Sequence, residues 1–320
     1  MAPAIPHLAL AGGSSPLTTV LLFIALILWV ATSSALRAPT WVMIVKYAAN
    51  PSVPWLAALV FVGVSVAAAL SSYIGVTLRN TDPRLPFGVS SVTLFLVTVG
   101  MVWMERSLDR SKPVAVPVAE KRGGLLAAPG SGLFLTGVVL LALGFQAHIA
   151  FNSIPQYLRF ATPADFDTLL PIFWVGFNIL SLPAAALTPR WGGPRVLACA
   201  AILGAIGTAI AATAPNLGMT ILGQALAGGA WGSILTAGLS TALFLGRTGR
   251  EGATSGLWFS TQSLAAALRI GIVVAQVDAA PEFSALSAWA PPLLWSGAAI
   301  VLACAAWRAG ASEKRSLMAV

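Results

Sequence analysis

Apolar runs of about 20 residues recur along the whole chain and decide what it can fold into. A helix of that length crosses about 30 Å of hydrocarbon. Lipid offers no partners to backbone N–H and C=O groups, so such runs must bond internally as helices. A membrane barrel is excluded, because its strands alternate over about ten residues instead of running continuously apolar. Nine spans read out: 17–36, 55–78, 85–103, 132–154, 169–187, 196–214, 217–245, 253–276 and 288–307. The expected fold class is an all-α polytopic membrane bundle. Only 9% of residues are charged and 58% are hydrophobic, with a mean hydropathy of +0.86. A soluble domain needs about 25% charge to cover its surface.

Most joins between spans are short. The exception is 104–131, with five Lys or Arg, three acids and three prolines and no apolar period. It reads as a linker between halves. The expected organisation is a partial three-span bundle (1–103), the linker (104–131), a six-helix bundle (132–308) and a tail (309–320). Lys and Arg in alternate loops fall 14 on one side and 3 on the other, with Arg269 inside a span. Basic loops stay in the cytoplasm, which places the linker and C-terminus inside and the N-terminus outside. The expected location is therefore the cell (plasma or inner) membrane, multi-pass. Trp41, Trp55, Trp103, Trp191, Trp289 and Trp307 lie near span ends, as an interfacial aromatic belt requires. The net charge of +8 is accounted for by this asymmetry, and no nucleic-acid partner is expected. Met1 to Pro16 carries no Lys or Arg, so no cleavable signal is read there. Cys199 and Cys304 sit in apolar runs and read as small helix residues, not as a disulfide or metal site.

Polar side chains in hydrocarbon are costly, so each asks for a reason. His148, Asn152 and Gln156 recur at i, i+4 and i+8, one face of an α-helix, with Gln146 nearby and Pro155 interrupting the backbone ladder. Two roles fit: lining a solute cavity, with His148 also able to exchange protons, or bonding to a neighbouring helix. Asn178 and Gln224 lie mid-span with the same two roles open. Gln262 and Arg269 share a face with Ser255 at seven-residue steps. Arg269 either meets an anion in the solute path or snorkels to the outer interface. Arg37 reads as an interfacial cytoplasmic anchor, with a buried switch residue as the alternative. Gly228 and Gly232, with Gly223 and Ala227 a turn earlier, form a small-residue packing face. No Asp or Glu lies well inside any span.

The segment Val66-Ala67-Ala68-Ala69-Leu70 matches Leu264-Ala265-Ala266-Ala267-Leu268 about 200 residues on, the spacing of a duplicated six-helix unit. Arg190-Trp191-Gly192-Gly193-Pro194-Arg195 lies in a cytoplasmic loop. Residues 63–76 are Gly- and Ala-rich, and Asp82-Pro83-Arg84-Leu85-Pro86-Phe87 forms a basic turn before an aromatic. In these features and in its loop charges the chain resembles the major facilitator superfamily of transporters. The resemblance equates its spans with the fourth to twelfth helices of that family. It makes Arg190, Gly192 and Arg195 the second-half form of the family's cytoplasmic loop signature. It also implies three further spans, roughly 80 residues, before Met1. Two positions depart from the pattern. Ser71-Ser72 stand where the family has Gly-Pro, and Ala38-Pro39 follow Arg37 where it has Gln-Gly.

The function this implies is secondary active transport of a small solute by alternating access, by a monomer without a cofactor. Proton coupling is an open alternative. Arg269 leans towards an anionic solute, and the apolar, aromatic lining towards an amphipathic one. A non-transporting fragment of such a carrier is the alternative. A membrane enzyme is disfavoured: His7 and His148 are the only histidines, and no metal-ligand motif, phosphate loop or nucleophile elbow occurs.

Overall fold

The computed structural model describes residues 50–82, 84–108, 130–246 and 250–318, with isolated positions between 17 and 48. Most of the first expected span, Arg37 and most of the linker lie outside the described residues. The protein is all-α, 92% helical, with no strand among the described residues. Among the described residues, eight helices are long and apolar enough to cross a membrane. They coincide with the second to ninth expected spans, and 217–245 agrees at both ends.

The helices are α1 (Val53–Thr81), α2 (Leu85–Leu108), α3 (Ser131–Ala147), α4 (Ser153–Leu158), α5 (Phe166–Leu169), α6 (Pro171–Trp191), α7 (Gly193–Thr213), α8 (Leu217–Leu245), α9 (Glu251–Val274) and α10 (Pro281–Met318). A π-helical turn, His148–Asn152, joins α3 to α4, so the two form one span. The last helix does not stop at the expected tail. It continues to Met318, about 57 Å at 1.5 Å per residue, far more than the hydrocarbon needs.

The chain divides into two units, 1–49 with 70–115 and 50–69 with 116–320. In the first, the turn between α1 and α2 is closed by Asp82, whose Oδ1 accepts from the Arg84 N–H at 2.8 Å. None of the spanning residues of α2 is buried. In the second, Val53, Ala57, Phe61 and Ser65 form a buried stripe at four-residue steps along α1. The Ser65 hydroxyl bonds to Asn178 of α6.

The larger unit is organised around α8, in which 19 of 29 residues are buried. It packs against α6, α7 and α9, while α10 packs against α3 and α7. Between apolar helices in lipid, attraction comes from close packing rather than from expelling water. Small residues set that closeness on two faces of α8. A Cβ at Gly228 would lie 1.8 Å from Phe173 O, and one at Gly232 would lie 2.4 Å from Phe177 O, both on α6. Gly223 and Ala227 instead meet α7, where a Cβ at Gly223 would lie 2.6 Å from the Ala211 nitrogen. The small-residue pattern read as one face thus serves two neighbours.

Trp295 of α10 is fully buried, and Gly144 and Gly204 leave room for its ring. Its indole N–H donates to Leu141 O at 3.0 Å. Trp231 lies parallel to it at 6.4 Å and stacks on Phe145 at 4.0 Å. This aromatic column ties α3, α8 and α10 together.

Replacing Gly228 by Leu should separate α6 from α8 and cost about 3 kcal/mol, as overpacking does. Gly256→Leu, where nothing lies within 4 Å, should change little. Thermal unfolding in detergent checks both.

Candidate functional site

Proline shapes the site. Pro155 has no N–H to offer Phe151, and its ring collides with a regular α-ladder. The backbone widens just upstream into the π turn, with Ser153 N–H donating to His148 O. Such turns relieve inserted strain and recur at functional sites. The even α-helical face expected for His148, Asn152 and Gln156 is therefore altered. All three are buried, but they do not share one partner.

Gln224, fully buried on α8, is the hub. Its Oε1 accepts from His148 Nε2 at 2.9 Å and from the Ser153 hydroxyl at 3.4 Å. Its Nε2 donates to Gln156 Oε1 at 3.0 Å. The histidine ring thus carries its proton on Nε2, and its buried Nδ1 has no partner among the described residues. The opposite arrangement would strand an N–H donor there, which is rarer than a stranded acceptor. The ring also lies 6.0 Å from Phe173, between α3 and α6.

Asn152 turns the other way. Its Nδ2 donates to Ser287 O on α10 at 2.7 Å. That carbonyl needs an outside donor, because the residue four positions on is Pro291, which has no N–H. Asn152 restores the bond that the proline removes.

A cavity of about 430 Å³ opens beside this break, with Asn152, Gln156, Arg159, Asp278, Ser284 and Ser287 among its walls. Arg159 Nη1 and Nη2 donate to the carbonyls of Ala212 and Ala211, both at 2.9 Å. A cation on the last carbonyls of a helix satisfies orphan acceptors and complements its dipole. Asp278 sits in the 3-10 turn Val277–Ala279 between α9 and α10. That turn follows Gln276, the one described non-glycine residue with positive φ, at 54°. A glutamine in the left-handed region is held there against a cost of about 1 kcal/mol.

The remaining expected residues lie elsewhere. Gln146 and Arg269 line a separate, apolar groove of about 220 Å³ between α3, α9 and α10. Gln262, two turns before Arg269, is half-buried with Nε2 unpartnered among the described residues. Asn178 holds Ser65. Arg190 and Arg195 are exposed at the α6–α7 junction, and Arg195 reaches Trp191 O at 3.4 Å, at the end of α6. The paired glycines there act differently. Gly192 takes a φ of 82°, which favours glycine, whereas a Cβ at Gly193 would strike Thr241 Oγ1 at 1.6 Å. Among the described residues, no group of three His, Cys, Asp or Glu is placed to hold a metal.

Sequence reasoning missed Ser287 and Asp278 and treated Arg159 only as a loop cation. Pro291 was the available signal for Ser287: a proline four residues on marks a carbonyl that seeks a donor. Nothing local marked Asp278.

Gln224→Leu should strand His148 Nε2 and Gln156 Oε1 and lower stability by about 1–2 kcal/mol. The double variant with His148→Leu should lose less than the sum of the two single changes. Thermal unfolding of the four proteins in one detergent measures this coupling.

Comparison with protein-family models, curated proteins and solved structures gives no match. The assigned class is accordingly the all-α polytopic bundle with eight helices of membrane-spanning length and composition.

Proposed function

We propose that this protein is a secondary active transporter of the major facilitator type, a monomer in the plasma membrane that moves a small solute by alternating access. One observation carries the reading. Around Pro155 an interrupted span buries the polar side chains of His148, Asn152, Ser153 and Gln156, and Asn152 and Gln156 line a 430 Å³ cavity. Ligand pockets have roughly this size, and transporters place theirs at broken helices. The loop charges put this end of the bundle outside, with the linker and C-terminus in the cytoplasm. The cavity is then the outward mouth of the solute path. The Gln224 network beneath it ties that mouth to α8, the most buried helix.

No cofactor and no enzymatic step belong to this reading. Solute and bilayer are the partners. His148 is the side chain available for proton coupling, because it lies one hydrogen bond beyond Gln224 from the cavity residue Gln156.

Alternating access requires two populated arrangements of the outer loops. Spin labels at Arg84→Cys and Ala280→Cys, with Cys199 and Cys304 changed to Ser, report the distance between them. Two populated distances are expected in lipid nanodiscs by electron–electron resonance. A single narrow distance, in both nanodiscs and detergent, contradicts the reading.

A further inference from the structure

We propose that the cavity beside Pro155 takes a small zwitterion, with a carboxylate at the Gln156–Arg159 wall and an ammonium at the Asn152–Asp278 wall. This rests on reading the cavity as the solute site.

The hydrogen bonds around the cavity fix what each amide has left to offer. Gln156 spends its Oε1 on Gln224, so its Nε2 keeps two N–H donors. Asn152 spends its Nδ2 on Ser287 O, so its Oδ1 remains an acceptor. Both residues line the cavity, and neither atom is among the buried polar atoms without a partner. One amide therefore presents donors and the other an acceptor.

The charges repeat that division. Arg159 has five N–H groups and gives two to the end of α7, which leaves three. Guanidinium and amide N–H groups both suit a carboxylate. Asp278 and Asn152 Oδ1 both accept, which suits an ammonium. Arg159 and Asp278 line the same cavity without a bond between them among the described residues. A lone anion would face Asp278 uncompensated, and a lone cation would face Arg159. A solute carrying both charges satisfies both walls. A volume of about 430 Å³ admits an amino acid or a molecule a few times larger.

The test measures binding to the full chain in lipid nanodiscs at neutral pH by calorimetry. Four probes share a four-carbon frame: γ-aminobutyrate, butyrate, butylammonium and butyramide. Glycine and ε-aminocaproate extend the zwitterion series to shorter and longer charge separations. At least one zwitterion should bind about tenfold or more tightly than all three singly charged or neutral probes. Asp278→Asn should abolish that preference and leave butyrate binding at least as well. Arg159→Gln should remove the carboxylate-bearing probes. It also uncaps α7, so Asp278→Asn, at an exposed turn, is the deciding variant.

Butyrate or butyramide binding as tightly as every zwitterion overturns the proposal, as does an unchanged preference in Asp278→Asn. Absence of binding by all six probes at millimolar concentration overturns it too. Asn152→Leu separates the two levels. If a probe binds and Asn152→Leu leaves its affinity unchanged, the cavity is not the solute site, and the reading beneath the proposal fails. If Asn152→Leu weakens binding but butyrate or butyramide is the tight probe, the cavity stands and the zwitterion falls.

Discussion

A proline inside a membrane helix removes a backbone N–H that hydrocarbon cannot replace. Much of the candidate site is the response to that loss at two places. At Pro155 the helix widens into a π turn, and the extra width turns Asn152 towards α10 while His148 and Gln156 stay on α8. At Pro291 the freed carbonyl of Ser287 takes its bond from Asn152. The two breaks answer each other across the helix interface. A cavity beside them follows, because two interrupted helices cannot close along their whole length.

Packing of the remaining bundle leaves that defect confined. Glycines on two faces of α8 bring α6 and α7 within backbone contact, and the Phe145–Trp231–Trp295 column fills the space towards α3 and α10. Gln224 sits in this tightly packed helix, so the polar network it anchors is held by rigid neighbours. Buried polar groups in lipid are costly unless bonded, and here the Gln156 amide, the Ser153 hydroxyl and His148 Nε2 all bond to Gln224, while His148 Nδ1 has no partner among the described residues.

The helical spans were legible because hydrocarbon thickness imposes a length and lipid imposes continuous apolarity, both visible in one dimension. Residue types at the site were legible for the same reason: Gln156, Asn152, His148 and Gln224 are conspicuous against an apolar background. Their pairing was not. A 3.6-residue period cannot show a π turn, and only the fold brings position 224 to positions 148 and 156. Asn178 offered two roles on paper, and it bonds to Ser65 of α1. Gln146, read beside His148, and Arg269, read with Gln262 on another span, line a second groove between α3, α9 and α10. Asp278 was invisible, since a lone acid in a loop carries no periodic signal.

The account depends on the cavity end and the linker end of the bundle facing opposite sides of a bilayer. Reporter fusions after Asp278 and within the 104–131 linker, one reporter active only outside the cytoplasm and one only inside, test this directly. The account predicts an outside signal for the Asp278 fusion and an inside signal for the linker. Both signals on one side, or the two reversed, would contradict it.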